Sequence, residues 1–340
     1  MSTHLFKAES RRLVKRRFVR CLAIGGVVVL VAILAGVFLT NQGRGPAQFA
    51  AAEAKAEANY QEQVGFFAQE RTACEQAKAS GTADADMWPG DCADITPPSR
   101  ENFSASDYLP PTFEFRPDFE ALLIPFAAIL ALVGFIVGAS FVGAEWNSGG
   151  MMNLLLWRPQ RLKVFGAKLA ALLTGVTALT IGAAALWTAS LWLTATLRGT
   201  TEKMTPGVWQ SFGLTGLRGL VMVLAATTIG FGLASLGRHT AVALGVAAGI
   251  GVVAQFGIGI VLSLAEVRFA EAWLIPTYLL AWMTKTVKLE DYESCNFSLS
   301  GECTPATFEI TWPVAGGLLA ASVVLVLGAA MWTMRSRDVT

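Results

Sequence analysis

Few residues of this chain have types and spacing that could support catalysis. The sequence contains two histidines, and it has no G-x-x-x-x-G-K-[ST] phosphate loop, no H-E-x-x-H zinc motif and no G-x-S-x-G nucleophile elbow. A nucleotide site, a zinc hydrolase and a serine hydrolase each need one of these arrangements. We therefore expect an enzymatically inactive chain that binds no metal and no cofactor of its own.

Two polar side chains interrupt long apolar stretches of the sequence. Arg218 and Gln255 could line a path for a substrate. Alternatively, Arg218 extends its guanidinium to the lipid headgroups, and Gln255 forms a hydrogen bond between helices. The other apolar stretches carry no ionisable group near their middle, where carriers coupled to protons or sodium ions need a counter-charge.

The cysteines suggest structural chemistry. Cys74 and Cys92 lie in one long polar connection, and Cys295 and Cys303 lie in another. Both pairs are predicted to form disulfides across short loops, which requires an oxidising compartment. Metal binding is the alternative for each pair, but no histidine lies near either one. Cys21 lies at the end of an apolar run and is interpreted as a small apolar residue.

The composition identifies the elements that carry these residues. The chain has 340 residues, 54% of them hydrophobic and 15% charged, whereas a soluble chain is about 25% charged. Six charge-poor stretches are long enough to cross a bilayer as helices. We predict an all-α integral membrane protein with spans at residues 21–40, 121–143, 163–197, 211–236, 241–265 and 311–334.

Charge asymmetry orients these spans. Residues 1–20 carry seven basic side chains and one acidic side chain, Glu9, whereas residues 41–120 carry 14 acidic and six basic ones. The positive-inside rule places the first segment in the cytoplasm, so six spans put both termini there. The apolar run of span one is too long for a typical cleaved signal peptide, so we expect an uncleaved anchor.

The long connections are predicted to lie outside the cytoplasm. The first connection, residues 41–118, is expected to form a helix over 47–78 and then a proline-rich loop. The second connection, residues 266–310, begins with an aromatic stretch over 270–284 that contains Pro276 and is too short to span. We predict a re-entrant or interfacial helix there. The short cytoplasmic parts are residues 1–20, 144–162 and 335–340.

Small residues recur at helical spacing in two spans. Gly134 and Gly138 lie four residues apart in span two, as do Gly245 and Gly249 in span five. Such pairs allow close approach of helix backbones. They predict either a dimer face or packing within one six-helix bundle.

The most specific segment is residues 143–168, GAEWNSGGMMNLLLWRPQRLKVFGAK. A carboxylate follows span two, two glycines interrupt the helix, a short apolar piece follows, and Arg-Pro-x-Arg precedes span three. This arrangement resembles the coupling region of type-2 ABC exporter permeases, which often have Gly-Thr where this chain has Gly149 and Gly150. The six-span plan and the outer helix before span six are similar too.

The resemblance implies a division of labour between subunits. A separate ABC ATPase would bind ATP and magnesium, and a second permease copy or paralogue would complete the transport path. The residues that would contact the ATPase form a cytoplasmic coupling helix and its flanks: Glu145, Met151, Met152, Leu154, Leu155, Trp157, Arg158 and Arg161.

The sequence therefore predicts an ATP-driven exporter permease in a bacterial plasma membrane. Its cargo is expected to be amphipathic or hydrophobic because the walls are apolar. The near-zero net charge of +1 gives no reason to expect nucleic-acid binding. A signalling or assembly scaffold with a sensor domain outside the cytoplasm is the alternative, and a membrane enzyme is a more distant one.

Overall fold

The structure is a computed structural model that describes residues 3–81, 91–151, 153, 160–291 and 304–336. Most of the described residues are helical. Six helices are long and apolar enough to cross a membrane, in agreement with the predicted number. Spans one to six are Arg17–Thr40, Phe115–Asn147, Arg161–Arg198, Pro206–Gly237, Thr240–Leu264 and Trp312–Ser336.

The helices extend past the apolar stretches that predicted them. Span two begins at Phe115 rather than at residue 121, and span three is 38 residues long. Polar residues at their ends continue the helical hydrogen bonding, which hydropathy alone does not register. Span five is interrupted: the α-helix Thr240–Ile250 is followed by the π-helical turn Gly251–Gly257 and then by the α-helix Ile258–Leu264.

The chain divides into two compact units. The first, which we call the membrane unit, comprises Met1–Leu34, Arg116–Leu191 and Lys203–Thr340. The second, which we call the connecting unit, comprises Ala35–Phe115 and Trp192–Glu202.

Within the membrane unit, spans two and four approach each other closely at glycine positions. A Cβ atom at Gly138 would overlap the backbone carbonyl of Thr227, and one at Gly134 would contact the Thr227 side chain. The glycine pair in span two therefore packs inside the chain, as the bundle interpretation predicted. In contrast, a Cβ atom added at Gly245 or Gly249 in span five would have no heavy atom of the described residues within 4 Å.

The second connection contains strands that we did not predict. Thr286–Asp291 pairs with Ala306–Thr311 as an antiparallel ribbon. Leu289 and Ile310 of this ribbon pack against Ala281 of the preceding helix and Ala315 of span six. The prediction failed because the ribbon strands are short and one of them is rich in charged residues, so neither shows a strong alternating pattern.

A short helix precedes this ribbon, within the stretch for which we predicted one. A 3₁₀ turn at Ala270–Trp273 leads into the α-helix Ile275–Thr284. Pro276 does not break this helix but lies in its first turn, where a missing backbone N–H costs no helical hydrogen bond. Trp282 of the helix donates a hydrogen bond from Nε1 to the carbonyl oxygen of Arg218, at 2.9 Å.

The connecting unit is built on one long helix, Pro46–Ala79. The disulfide Cys74–Cys92 joins it to the loop that follows, which confirms one of the two predicted pairs. Tyr60 lies edge-on to Phe103 at 5.6 Å. Arg100 Nε donates to Glu57 Oε2 at 2.9 Å. Cys295 and Cys303, the other predicted pair, lie outside the described residues.

The connecting unit contains one carboxyl group, that of Glu57, whose pKa is displaced among the residues that the structure describes. A hydrogen bond from the Gln61 amide, followed by the nearby Arg100 guanidinium, lowers the pKa of Glu57 below its ordinary value of 4.5. The contact is exposed to solvent, so it fixes the local geometry more than it stabilises the fold.

Candidate coupling site

A buried network of charges lies where the N-terminal helix, the end of span two and the start of span three meet. Lys168, which is 0% exposed, is the centre of this network. Its Nζ donates to Glu9 Oε2 at 2.9 Å and lies 2.5 Å from Glu145 Oε2. Glu9 belongs to the helix Thr3–Lys15 and is itself 1% exposed.

Arg16 completes the network from the junction between the N-terminal helix and span one. Its Nη2 donates to Glu145 Oε1 at 2.6 Å, and its Nη1 donates to the backbone carbonyls of Ser140 and Phe141 at 3.1 and 3.0 Å. The Phe141 ring lies 5.1 Å from the Arg16 guanidinium carbon and 5.5 Å from Lys168 Nζ. Both cations therefore lie against the same aromatic ring.

Each charge of the network has an opposite partner. Two carboxylates, Glu9 and Glu145, are matched by Lys168 and Arg16, and the exposed Arg12 lies 3.4 Å from Glu9 at the edge. Removing one member would leave a buried charge without compensation, which is strongly destabilising. The network therefore holds three chain segments, far apart in sequence, in one fixed arrangement.

Apolar packing surrounds this network. Leu13 of the N-terminal helix is buried against Gly175 of span three, and Phe165 of span three stacks edge-on to Phe231 of span four at 5.0 Å. These residues belong to one hydrophobic cluster that also contains Met151. The charges are consequently enclosed by a core rather than held on a surface.

The residues that were predicted to contact the ATPase lie in different surroundings. Glu145, one of the predicted contact residues, is 7% exposed and pairs with Arg16 and Lys168. Met151 is fully buried in the core cluster. Arg161 donates to the Met334 carbonyl at 3.4 Å. Five of the predicted residues lie outside the described residues: Met152, Leu154, Leu155, Trp157 and Arg158.

Arg218 and Gln255, the two polar residues singled out within the spans, share no site among the described contacts. The Arg218 guanidinium carbon lies 5.6 Å from the Trp312 ring of span six. Its Nη1 is buried without a hydrogen-bond partner among the described residues, as is Nε2 of Gln255. Gln255 lies in the π-helical turn of span five, a type of irregularity that is frequent at functional sites.

Sequence reasoning missed the N-terminal members of the charge network, Glu9 and Arg16. Glu9 lies 159 residues before Lys168, so no local pattern connects them. A signal was nevertheless present, because Glu9 is the one acidic residue among seven basic ones in residues 1–20. Among the described residues, no group of three or more His, Cys, Asp or Glu side chains is arranged to hold a metal ion.

Comparison with known families gives a match over most of the sequence. The sequence model described as ABC-2 family transporter protein matches residues 6–334, which is nearly the whole chain. No curated protein matches the chain.

Proposed function

The chain belongs to the ABC-2 family of transporter proteins, and from this premise we propose that it is the permease subunit of an ATP-driven exporter. A permease of an ABC transporter is the general function that this membership supports. The finer elements of the proposal are an exporting direction, a cytoplasmic position for both termini, and a bacterial plasma membrane. The basic residues near the ends of spans two, three, four and six support this orientation.

The observation that carries the proposed coupling mechanism is the buried network at Lys168. The segment 145–161, which resembles the coupling region of such permeases, begins at a network residue and ends at the start of span three. A force applied to this segment by another subunit would reach span two through Glu145. It would reach span three and the N-terminal helix through Lys168 and Arg16.

ATP hydrolysis is assigned to a partner subunit in this proposal. The sequence has no phosphate loop with which to hold ATP and magnesium. An ABC ATPase would supply that loop and contact the permease through the apolar side chains of the segment. Methionine and tryptophan suit such a contact because one is adaptable and the other buries a large area.

A second permease copy or paralogue is the other proposed partner. Ala243 is the one buried residue of span five, which the structure describes in full. The glycine pair Gly245 and Gly249 of this span has open space where a Cβ atom would lie, so a second copy could approach its backbone closely. Apolar walls favour an amphipathic or hydrophobic cargo, and the signalling scaffold remains the alternative if no transport is found.

A single substitution tests the coupling assignment. Leu155→Asp is expected to abolish ATPase recruitment and export while the permease still folds and inserts, because a charge would be buried without a partner at the contact. Leu155→Met is the matched control and should retain both properties, since it preserves the apolar contact.

The measurement is recovery of the ATPase with the tagged permease, followed by transport in vesicles. A Leu155→Asp variant with wild-type ATPase binding and wild-type export would contradict the assignment. If ATPase binding persists in a chain that transports nothing, the scaffold function is supported instead.

A further inference from the structure

A wide cavity lined by basic side chains opens beside the charge network. It has a volume of about 650 Å³, and the described residues of its wall include four cations and one carboxylate: Arg11, Arg12, Lys15, Arg16 and Glu145. Glu145 is already bound by Arg16 and Lys168. The free charge facing the cavity is therefore positive.

Two of the lining cations are available to a ligand. Arg12 has Glu9 as a partner, and Arg16 has Glu145. In the part of the chain that the structure describes, neither Arg11 nor Lys15 forms an ion pair. Both are exposed and lie four residues apart, which places them on the same face of the N-terminal helix.

The surroundings of the cavity indicate which kind of anionic ligand it would bind. Val14 and Phe18, which neighbour these cations in the sequence, are 67% and 50% exposed. The membrane-spanning helix begins at Arg17, directly after the cavity-lining residues. A second cavity of about 430 Å³, lined by Arg16, Arg17 and Phe18, adjoins the first at Arg16. Cations next to exposed apolar groups at a membrane boundary match a lipid that has an anionic headgroup and apolar chains.

We propose that this cavity is a binding site for an anionic phospholipid of the leaflet that contacts the N-terminal helix. Arg11 and Lys15 bind the phosphate, and Val14 and Phe18 contact the first methylene groups of the acyl chains. Arginine and lysine are the side chains that most often bind phosphate groups in proteins. The lipid would brace the helix that carries Glu9, and hence the network at Lys168. This inference does not depend on the ATPase, because it concerns the permease chain alone.

The test is lipid binding to the purified full-length chain in detergent. Phosphatidylglycerol and phosphatidylcholine with identical acyl chains are titrated separately, and bound lipid is counted by native mass spectrometry. Phosphatidylglycerol is expected to bind at least about tenfold more tightly, since each basic side chain near an anionic surface contributes about fivefold. This preference should decrease as the salt concentration rises. Equal affinities for the two lipids, or a preference that salt does not change, would overturn the proposal.

A pair of double variants locates the site. Arg11→Gln/Lys15→Gln is expected to weaken phosphatidylglycerol binding by roughly 30-fold and to leave phosphatidylcholine binding unchanged. Lys55→Gln/Lys163→Gln removes the same charge from two exposed positions that do not line the cavity, and it should stay within about twofold of wild type. Similar losses in both variants would contradict a specific site. An unchanged elution volume and melting temperature show that each variant is folded.

Two further arms exclude other occupants. Inorganic phosphate at millimolar concentration should not displace phosphatidylglycerol, because it lacks the acyl chains that contact Val14 and Phe18. Displacement would identify a site for small phosphate compounds and overturn the lipid assignment. The proposal would equally fail if the Arg11→Gln/Lys15→Gln variant kept wild-type lipid binding but lost a protein partner, since the cavity would then be a protein contact.

Discussion

Lys168 is fully enclosed, yet it is ion-paired with two carboxylates that come from distant parts of the sequence. A buried ion pair contributes little net stability compared with an apolar replacement, but it is costly to break on one side. Its value here is geometric: Lys168 fixes the N-terminal helix and the end of span two relative to span three. The position tolerates few alternatives, because a neutral side chain leaves both carboxylates facing one another.

Lys168→Met is predicted to destabilise the chain by about 3–5 kcal/mol, because Glu9 and Glu145 lose their shared cation. The matched control is Lys163→Met, which changes an exposed lysine five residues earlier and should have an effect of less than about 0.5 kcal/mol. Denaturant titration of each purified variant in detergent measures the difference in the free energy of unfolding.

A partial rescue distinguishes charge from packing in this prediction. Adding Glu9→Gln to Lys168→Met removes one uncompensated carboxylate, so the double variant should be more stable than Lys168→Met alone. If the double variant is less stable than Lys168→Met, the cost comes from lost packing and the account of the network is wrong.

At the scale of helices, the two glycine pairs differ in what faces them. Gly138 lies against the backbone of span four, whereas Gly245 faces open space. We predict that Gly138→Ile destabilises the isolated chain by about 1–3 kcal/mol or more, because the backbone of span four must move. Gly245→Ile should leave the isolated chain folded and instead weaken the association of two copies.

The melting temperature of each variant and its oligomeric state in detergent or nanodiscs are the measurements. A Gly245→Ile chain that unfolds as readily as Gly138→Ile would contradict the structural placement of span five. A Gly245→Ile chain that forms the same dimer as wild type would remove span five from the proposed contact between copies.

The disulfides are a second prediction at the scale of elements. Peptide mapping under non-reducing conditions should find Cys74 joined to Cys92 and Cys295 joined to Cys303. Closing loops of this size contributes roughly 3 kcal/mol in the chain-entropy model. Replacing Cys74 and Cys92 together by serine should therefore make the loop after the helix Pro46–Ala79 more sensitive to proteolysis. Four free thiols would contradict both the pairing and the proposed outside location of these segments.

Local patterns predicted the elements of this chain better than they predicted their contacts. Charge-poor runs predict six spans because lipid imposes a minimum length and excludes charge. The pairing of Glu9 with Lys168 is a tertiary contact between distant segments, and no periodicity encodes it. The motif around residues 143–168 did contain Glu145 and Lys168, but it gave no sign that both are buried and paired with each other.

At the scale of the whole molecule, the charge network and the apolar spans fit a membrane subunit of a transporter. The buried charge network adjoins a segment that resembles a coupling region, and the spans expose apolar residues. The sequence of the chain contains no phosphate loop. Membership of the ABC-2 family accounts for this combination, because the membrane subunits of such transporters work with a separate ATPase.

Isolation of the tagged chain from its native membrane tests the central claim most directly. We predict that a subunit with a phosphate loop is recovered in a fixed ratio to the permease and that the complex hydrolyses ATP. After dissociation and repurification, the permease alone should hydrolyse none, and adding the ATPase back should restore activity. ATP hydrolysis by the permease alone, or a functional complex that lacks any phosphate-loop subunit, would contradict the assignment of this chain as the permease of an ABC transporter.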